Sequence, residues 1–418
     1  MKSDLDALMK AKNLDAILVI GSAMDNPPMH YLTGGGHVND AYLIKKCGEE
    51  AVIFCNPMER EEAAKSDLKV RLLNEFDGHE KLKQVEEQSA LQHALRLQMI
   101  LQESGLEKAW LGVYGKTDFS HQFAVFSNLQ RLLPDVRFIG EGTYDSIFVR
   151  AMETKDEQEI AHIRKMGQVT VEVVRLVAEY LTSCQVRDDE VLLQEDGSPL
   201  TVGDVHSKIR LWVTERGATL PQGFIFATGH DAGVPHSTGN PEALMRLGET
   251  IIFDIYPAEA GGGYFYDFTR TWSLGYATPE AQALYDEVKE IYDRITNDFD
   301  LNAPFKEYEV MVCDYFESKG HATKRTTPPA PLNGYVHSLG HGVGLNIHER
   351  PGSALNSAPD HILKPGVVMT AEPGLYYPEK NMGVRIEDTI WMRPDGQMEI
   401  LAEYPYDFVL PMKNWKKE

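Results

Sequence analysis

Four acidic side chains in the second half of the chain interrupt segments that are otherwise apolar and strand-like. They are Asp254, Asp267, Glu372 and Glu387. Burying an unpaired carboxylate is costly, so such groups stay buried only when they are paired or bound to a cation. A histidine, His341, stands between two glycines, where the backbone can approach a ligand closely. We predict that the four carboxylates and this imidazole form a metal site.

The four carboxylates fall into two pairs, and each pair is expected on a β-hairpin. The first two would lie on strands joined by a turn through glycines 261–263, and the last two on strands joined by a loop through Pro378 and Asn381. Alternate residues of a strand share a face. Arg385, Glu387 and Thr389 are therefore expected to point one way, and Asp267 is expected to share a face with its neighbours two residues away.

If the two hairpins face one another, four oxygen donors converge, and like charges that close raise several pKa values. Two divalent cations would neutralise the four negative charges. This is the chemistry of a two-metal hydrolase, in which cations about 3.5–4 Å apart share a bridging water or hydroxide. The imidazole of His341 makes the donor set mixed, which suits manganese, cobalt, iron or zinc better than calcium.

Each of these residues also has an ordinary structural explanation. A single aspartate in an apolar strand is more often a hydrogen-bonded structural group, but four of them in two matched hairpins make that explanation poor. His337 and His341 have the spacing of a helical pair, yet the glycines at 340, 342 and 344 favour a loop. His236 has no ligand spacing of its own. Residues 340–344 lack the full spacing of a dinucleotide-binding loop.

The elements that must position this site divide into two parts. Residues 1–150 alternate between helical and strand patterns, which predicts an α/β domain with a mixed sheet. Its predicted strands span 16–20, 41–44, 51–55 and 109–113, and its predicted helices span 86–104 and 118–132. In residues 151–418 we predict helices over 156–180, 202–216, 279–298 and 305–319, a strand over 224–228, and a polar surface excursion over 185–201. Thr154 or Asp156 could cap the first of these helices.

The composition limits the classes of function. The 418 residues carry a formal net charge of -22, and an acidic chain repels nucleic-acid phosphate and anionic membranes, so neither is an expected partner. No apolar run is long enough to span a bilayer. The four cysteines are scattered without a CxxC pair, which is typical of reduced thiols and favours the cytoplasm.

The C-terminal half resembles the pita-bread metallopeptidases, the family that contains methionine aminopeptidase, aminopeptidase P and prolidase. The matching segments are Val234-Pro-His236, Phe253-Asp254, Tyr266-Asp-Phe-Thr-Arg-Thr271, residues 337–348, Ala371-Glu-Pro-Gly-Leu-Tyr376 and Gly383-Val-Arg-Ile-Glu-Asp388. The short segment His30-Tyr-Leu-Thr-Gly34 is similar to the creatinase-type domain of the proline-specific branch. The implied fold is an α/β creatinase-like N-terminal domain over residues 1–150 plus an α+β pita-bread catalytic domain over residues 151–418.

The resemblance implies a role for each matching position. The metal-binding positions are Asp254, Asp267, His341, Glu372 and Glu387. Among these, Asp267 and Glu387 would bridge both cations, and Glu372 would also transfer a proton. His236 and His348 match histidines that position substrate and stabilise the tetrahedral intermediate. Arg385 and His337 match positions that contact the substrate or support the ligands.

The activity that this resemblance implies is metal-dependent hydrolysis of the bond between an N-terminal residue and proline, by a dinuclear-metal-activated hydroxide. The substrate would be a short peptide with proline second, cleaved by an Xaa-Pro dipeptidase or aminopeptidase. The implied cofactor is two divalent ions, Mn²⁺ first, with Co²⁺, Zn²⁺ or Fe²⁺ as alternatives. The implied assembly is a homodimer, and the N-terminal domain would wall the pocket, in this family often from the partner subunit.

One departure concerns the hairpin between Asp254 and Asp267, which is slightly longer than in the commonest family members, around residues 258–263. The extra length could reshape the mouth of the pocket and thus alter the substrate. Two alternatives therefore stay open. One is a hydrolase or lyase of the same fold that acts on a small non-peptide substrate, because a fold does not determine its chemistry. The other is a binding protein that has lost the chemistry, against which the retained ligand positions argue.

Overall fold

The computed structural model describes residues 4–327 and 331–415. The chain divides into two compact units. The first comprises Met1–Met152 with Gly261–Gly263, and the second comprises Glu153–Ala260 with Tyr264–Glu418. Among the described residues, no helix has both the length and the apolar character needed to cross a membrane.

The first unit is built on a six-stranded mixed sheet in the order β4-β3-β2-β1-β5-β6. The strands are β1 Ala16–Gly21, β2 Ala41–Lys46, β3 Val52–Cys55, β4 Lys69–Leu72, β5 Trp110–Gly115 and β6 Arg137–Ile139. The helices are α1 Asp4–Ala11, α2 Pro27–Thr33, α3 Arg60–Ala64, α4 Glu80–Lys83, α5 Ala90–Glu103, α6 Phe119–Leu132 and α7 Ile147–Ala151. The apolar run of β1 is buried along its whole length, and it lies inside the sheet, antiparallel to β2 and parallel to β5.

The mixed α/β sheet confirms the fold expected for this part of the chain. The predicted helix over residues 86–104 is shorter than expected, since α5 begins at Ala90. Ser89 ends the preceding loop, and its side chain accepts a hydrogen bond from the backbone N–H of Gln92. A serine at this position satisfies a donor that the first helical turn leaves free.

The second unit contains four long helices and several small sheets. The helices are α8 Glu157–Ser183, α9 Val202–Glu215, α10 Pro279–Asp298 and α11 Phe305–Ser318. The strands are β7 Gln185–Val186, β8 Leu192–Leu193, β9 Ala218–Thr219, β10 Phe224–Thr228, β11 Thr250–Ile255, β12 Ala258–Glu259, β13 Phe268–Leu274, β14 His341–Gly342, β15 Glu349–Gly352, β16 Val368–Ala371, β17 Gly374–Tyr377, β18 Met382–Arg385, β19 Asp388–Met392, β20 Met398–Ile400 and β21 Val409–Leu410. Asp156 caps α8 in a capping box with Glu159.

Two sheets of the second unit carry the site. One has the order β10-β11-β13-β21, and the other has the order β15-β14-β16-β19-β20. Helices α10 and α11 pack on this arrangement, with Val288, Ile291 and Val312 in one apolar cluster with Met369 and Ile390. The helices therefore bury one side of the strands, and the polar residues of the opposite side are held against a rigid base.

The predicted surface excursion over residues 185–201 was wrong in part. This segment contains the paired strands β7 and β8, and Val191, Leu192 and Leu200 are buried. Strands of two residues are too short to produce a period-2 pattern, so the polar residues around them dominate the sequence signal.

Candidate metal centre

The four carboxylates lie where strands meet, and only one of them is inside a strand. Asp254 is in β11, Asp267 directly precedes β13, and Glu372 directly follows β16. Glu387 lies between β18 and β19. The expectation that each carboxylate interrupts a strand was therefore wrong for three of them. A hairpin does form between Glu372 and Glu387, from strands β17 and β18. The two glutamates flank this hairpin and are not part of its strands.

The strands end near Glu372 and Glu387 because the backbone changes its hydrogen-bond partners there. The N–H of Glu387 donates to the carbonyl of Thr269 at 3.1 Å, which links β13 to the segment between β18 and β19. The N–H of Glu372 donates to the carbonyl of Leu339 at 2.8 Å. Glu372 and Glu387 thus lie where the chain passes from one strand pairing to another, and side chains from separate hairpins can meet there.

Three of the predicted ligands converge closely. Single donor atoms of Asp267, His341 and Glu387 all lie within 4.8 Å of one another. Glu372 joins them, because His341 Nε2 lies 3.4 Å from Glu372 Oε1 and 3.6 Å from Asp267 Oδ2. One imidazole nitrogen therefore faces two carboxylates that come from different parts of the chain.

Arg385 connects Asp254 to this group. Its Nη2 atom donates to Asp254 Oδ2 at 2.5 Å, and its Nε atom donates to Thr269 Oγ1 at 3.3 Å. The hydroxyl of Thr269 in turn donates to Glu387 Oε2 at 2.7 Å. Asp254 and Glu387 are thus held through two buried intermediates, and all five predicted ligands lie in one polar cluster.

The protein by itself does not balance the charge of this cluster. Burial raises the pKa of Asp254, Asp267 and Glu372, and the charge of Glu387 raises the pKa of the last two further. Burial, followed by the charge of Asp254, raises the pKa of Glu387 to about 8. One guanidinium cannot neutralise four carboxylates. A bound cation would stabilise the cluster by compensating the remaining negative charge.

Two details show that the donor set fits a metal ion. Asp254 Oδ1 is buried and accepts no hydrogen bond from the described residues. The Nδ1 atom of His341 lies 3.1 Å from the carbonyl of Gly342, to which it can donate, so the Nε2 lone pair faces Asp267 and Glu372. Burial lowers the pKa of His341 to about 3, which keeps the imidazole neutral. A nitrogen lone pair that faces carboxylate oxygens is suited to hold a cation between them, because imidazole and carboxylate are both ligands of transition metals.

His337 belongs to a second chain of hydrogen bonds that begins at Arg385. Arg385 Nη1 donates to the hydroxyl of Tyr376 at 2.7 Å, and this hydroxyl lies 2.7 Å from His337 Nε2. The other ring nitrogen of His337 lies 2.9 Å from the carbonyl of Ser338 and 3.8 Å from Glu372 Oε2. Burial lowers the pKa of His337 to about 3, so the ring accepts the proton of Tyr376 as a neutral imidazole.

The two remaining predicted histidines are exposed. The ring of His348 packs edge-on against the ring of His341, with 4.4 Å between centroids. His236 lies in the loop after β10, and burial followed by the charge of His236 lowers the pKa of His348. Arg385 holds this loop through a 3.3 Å hydrogen bond to the carbonyl of Pro235. Both rings are therefore free to contact a molecule that enters from solvent.

Buried groups behind the site hold the loop that carries His341. Glu309 on α11 accepts hydrogen bonds from the N–H of Leu339 and from the hydroxyl of Tyr335, each at 2.6 Å. Burial raises the pKa of Glu309 to about 7. Gly340 passes so near β16 that an added Cβ atom would lie 2.2 Å from the carbonyl oxygen of Thr370. This approach explains the glycine before the histidine.

Three residues of the cluster were not identified as site residues from the sequence. Thr269 and Tyr376 carry the hydrogen bonds described above. Tyr256 is half-buried, and burial, followed by the charges of Asp254 and Asp267, raises its pKa. The alternation of strand faces gives a signal for Thr269 and Tyr256, because each lies two residues from a predicted ligand.

Both parts of the chain match known protein families. Residues 161–394 match Metallopeptidase family M24, and residues 2–141 match the Creatinase/Prolidase N-terminal domain. The Xaa-Pro dipeptidase of Pyrococcus horikoshii is 24% identical over 394 residues, which cover 94% of this chain and 94% of that protein.

Two solved structures have the same fold over almost the whole chain. The Xaa-Pro dipeptidase from Bacillus anthracis superposes with a TM-score of 0.74 at 21% identity, covering 97% of this chain and 98% of that one. The X-Pro aminopeptidase from Thermotoga maritima superposes with a TM-score of 0.72 at 20% identity, covering 95% and 98%. The expected creatinase-like domain and pita-bread catalytic domain are confirmed. Because its family match covers more than half of the 418 residues, this chain belongs to Metallopeptidase family M24.

Proposed function

We propose that this protein hydrolyses the peptide bond between an N-terminal residue and proline. As a member of a metallopeptidase family, it is a metal-dependent hydrolase that acts on peptides. The observation that carries the proposal is the convergence of Asp267, His341 and Glu387, with Glu372 beside them. The relatives named above as Xaa-Pro peptidases support proline specificity and do not favour a non-peptide substrate.

In this proposal the cluster holds two divalent cations, Mn²⁺ first, with Co²⁺, Zn²⁺ or Fe²⁺ as alternatives. The ligands are Asp254, Asp267, His341, Glu372 and Glu387. The bound cations supply Lewis acidity, which polarises the scissile carbonyl and favours attack by water. Asp254 Oδ1, which accepts no hydrogen bond from the described residues, and His341 Nε2, which faces two carboxylates, support this assignment most directly.

Glu372 is the proposed proton carrier. It follows β16, its carboxylate is only partly buried, and its two oxygens approach His341 and His337. In the proposed reaction Glu372 takes a proton from the attacking water and passes it to the leaving nitrogen. In the metal-free protein, burial and the charge of Glu387 raise the pKa of Glu372.

The two exposed histidines are the proposed contacts to the peptide. His348 and His236 would hold the scissile amide and donate hydrogen bonds to the developing oxyanion, where preorganised donors are most effective. Arg385 and His337 would support this arrangement through Tyr376, as substrate-contacting or positioning residues. The hydrogen bond from Arg385 to the carbonyl of Pro235 keeps the loop of His236 beside the cluster.

Three further features belong to the same proposal. Residues 1–150 would form the creatinase-like domain, and residues 151–418 would form the catalytic domain. The protein would act as a homodimer on short peptides with proline in the second position. It would work in the cytoplasm, which the four free cysteines support.

The experiment that tests this function compares two peptides. Chelator-stripped protein is incubated with Leu-Pro or with Leu-Pro-Pro, with and without added Mn²⁺ or Co²⁺, and release of proline or leucine is measured. Leu-Ala serves as the control for proline specificity. Metal-dependent cleavage of Leu-Pro alone indicates a dipeptidase, and cleavage of the tripeptide indicates an aminopeptidase. If neither proline peptide is cleaved by metal-loaded protein, the proposed function is wrong.

A further inference from the structure

Tyr256 lies directly opposite Asp267 in the hairpin between β11 and β13. The antiparallel register pairs Ile255 with Phe268, and a bridge further along pairs Ala258 with Phe265. The register is therefore continuous, and position 256 lies across from position 267. Directly opposite residues project to the same face, with Cβ atoms about 4.5–5.5 Å apart.

The same face carries the metal-binding candidates of this hairpin. Asp254 precedes Tyr256 by two residues, and it is paired with Thr269, which follows Asp267 by two residues. Side chains two residues apart on a strand share a face. The phenol ring of Tyr256 therefore projects on the side where the carboxylates converge, and the side chain is only half-buried there.

The hydroxyl of Tyr256 has no hydrogen-bond partner in the described part of the chain. Within residues 4–327 and 331–415 it takes part in no hydrogen bond. Other tyrosines of the same hairpin differ, because Tyr264 donates to Glu159 at 2.8 Å and Tyr266 donates to the carbonyl of Ala402 at 3.3 Å. Their hydroxyls serve the fold, whereas the hydroxyl of Tyr256 has no such structural task.

Most other donors near the cluster are already occupied. The guanidinium of Arg385 donates to Asp254, Thr269 and Tyr376. The hydroxyl of Thr269 donates to Glu387. Tyr256 is thus a neutral donor that remains available, in addition to the exposed rings of His236 and His348. A phenol that faces a catalytic cluster and keeps its hydroxyl free is suited to bind a polar group of the substrate.

We propose that the hydroxyl of Tyr256 donates a hydrogen bond to the backbone of the residue that precedes proline in the peptide substrate. This inference rests on the proposed function, because the scissile carbonyl of that residue must reach the carboxylate cluster. Tyr256 is then a substrate-binding residue that recognises the peptide backbone. It makes no contribution to holding the metal ions.

The test compares wild type with Tyr256→Phe, which keeps the ring and removes only the hydroxyl. The control is Tyr315→Phe, which removes a hydroxyl of α11 that donates to Glu290 at 2.7 Å. The Mn²⁺-loaded proteins are compared in kcat/KM on whichever proline peptide the wild type cleaves, in bound metal per chain, and in Tm. We expect Tyr256→Phe to lower kcat/KM about tenfold. Bound metal and Tm should stay unchanged, and the control should match wild type in activity.

The outcomes separate this inference from the proposed function. If Tyr256→Phe retains kcat/KM within about twofold of wild type, the hydroxyl does not bind the substrate and the inference is wrong, although the proposed function stands. The inference is also wrong if the variant loses bound metal, because Tyr256 would then support the ligands. If wild type itself cleaves no proline peptide, the proposed function fails, and the inference fails with it.

Discussion

The guanidinium of Arg385 lies 2.5 Å from one oxygen of Asp254, and both side chains are buried. The other oxygen of Asp254 accepts no hydrogen bond in the described part of the chain. Burial raises the pKa of Asp254, while the positive charge of Arg385 acts in the opposite direction. Arg385 thus keeps one side of the carboxylate paired and leaves the other side for a cation.

Replacing Arg385 by methionine should destabilise the metal-free protein strongly. The substitution keeps most of the apolar volume but leaves the buried carboxylate of Asp254 without its partner, which costs about 3–5 kcal/mol. The free energy of unfolding, measured by urea denaturation after chelation, checks this expectation. Adding Mn²⁺ should reduce the difference, because a cation can then neutralise Asp254.

Arg393→Met is the matched control for this substitution. Arg393 forms partly exposed ion pairs with Asp395 and Glu399, and such pairs contribute at most about 1 kcal/mol. The double variant Asp254→Asn with Arg385→Met should recover part of the lost stability, since it removes both charges. Equal stability of Arg385→Met and Arg393→Met in metal-free protein would contradict the role given to the buried pair.

Glu372→Gln should remove turnover while the fold is retained. The amide has nearly the same shape as the carboxylate but cannot accept the proton, so kcat should fall about 10²–10⁴-fold. Proline release and thermal unfolding measure the two effects. Glu379→Gln, an exposed change in the turn between β17 and β18, is the control and should retain full activity. Full activity of Glu372→Gln would show that another group carries the proton.

The stability of the metal-free protein should fall as pH rises. Glu387 has a folded-state pKa of about 8, raised from 4.5 by burial and by the charge of Asp254. A carboxyl with a raised pKa stabilises the fold below its unfolded pKa, and this contribution is lost as pH rises through the folded pKa. Calorimetric Tm values between about pH 5 and pH 8 should therefore decrease without metal.

Added Mn²⁺ should flatten this decrease, because the cation replaces the protons on the cluster. The rise in Tm that Mn²⁺ produces should be greater at the upper end of the pH range. Glu387→Gln should reduce the slope in the absence of metal. A Tm that increases with pH in chelated protein would argue against a buried carboxylate cluster.

Glu309, which is not a predicted metal ligand, should make a second contribution to the pH dependence of stability. Burial raises its pKa from 4.5 to about 7, so its contribution to stability is lost as pH rises between these values. The total loss is at most about 3 kcal/mol. In Mn²⁺-loaded protein, the Tm of Glu309→Gln, measured by calorimetry, should change less with pH than the Tm of wild type over this range. Glu307→Gln, an exposed change on the same helix, should behave as wild type does.

Much of the architecture could be predicted from the sequence because its signals are local. Helices α10 and α11 follow from apolar residues at helical spacing, and the buried strand β1 follows from a short apolar run. The sequence offered Thr154 or Asp156 as the cap of α8, and the structure shows that Asp156 is the cap, in a capping box with Glu159. The short strands β7 and β8 could not be predicted, since their pairing depends on contacts that two residues do not encode.

The site residues were named from their types and from the family resemblance, and their arrangement came from contacts between distant segments. Carboxylates in apolar surroundings stand out in any sequence, since burying them requires compensation. The sequence could not indicate that three of the four lie outside the strands. It also did not reveal that Thr269 connects Arg385 to Glu387, because those residues are more than one hundred positions apart from it.

The sequence by itself determined which chemical groups this protein has for a metal site, four carboxylates and an imidazole, in motifs that resemble those of one family. Only the tertiary structure decided which oxygen of Asp254 is paired, which nitrogen of His341 faces the carboxylates, and which hydroxyls remain free. The physical reason is that hydrogen bonding and burial depend on the distances between atoms of separate strands. Those distances are set by the packing of the whole second unit, whereas residue types and spacing are properties of each segment alone.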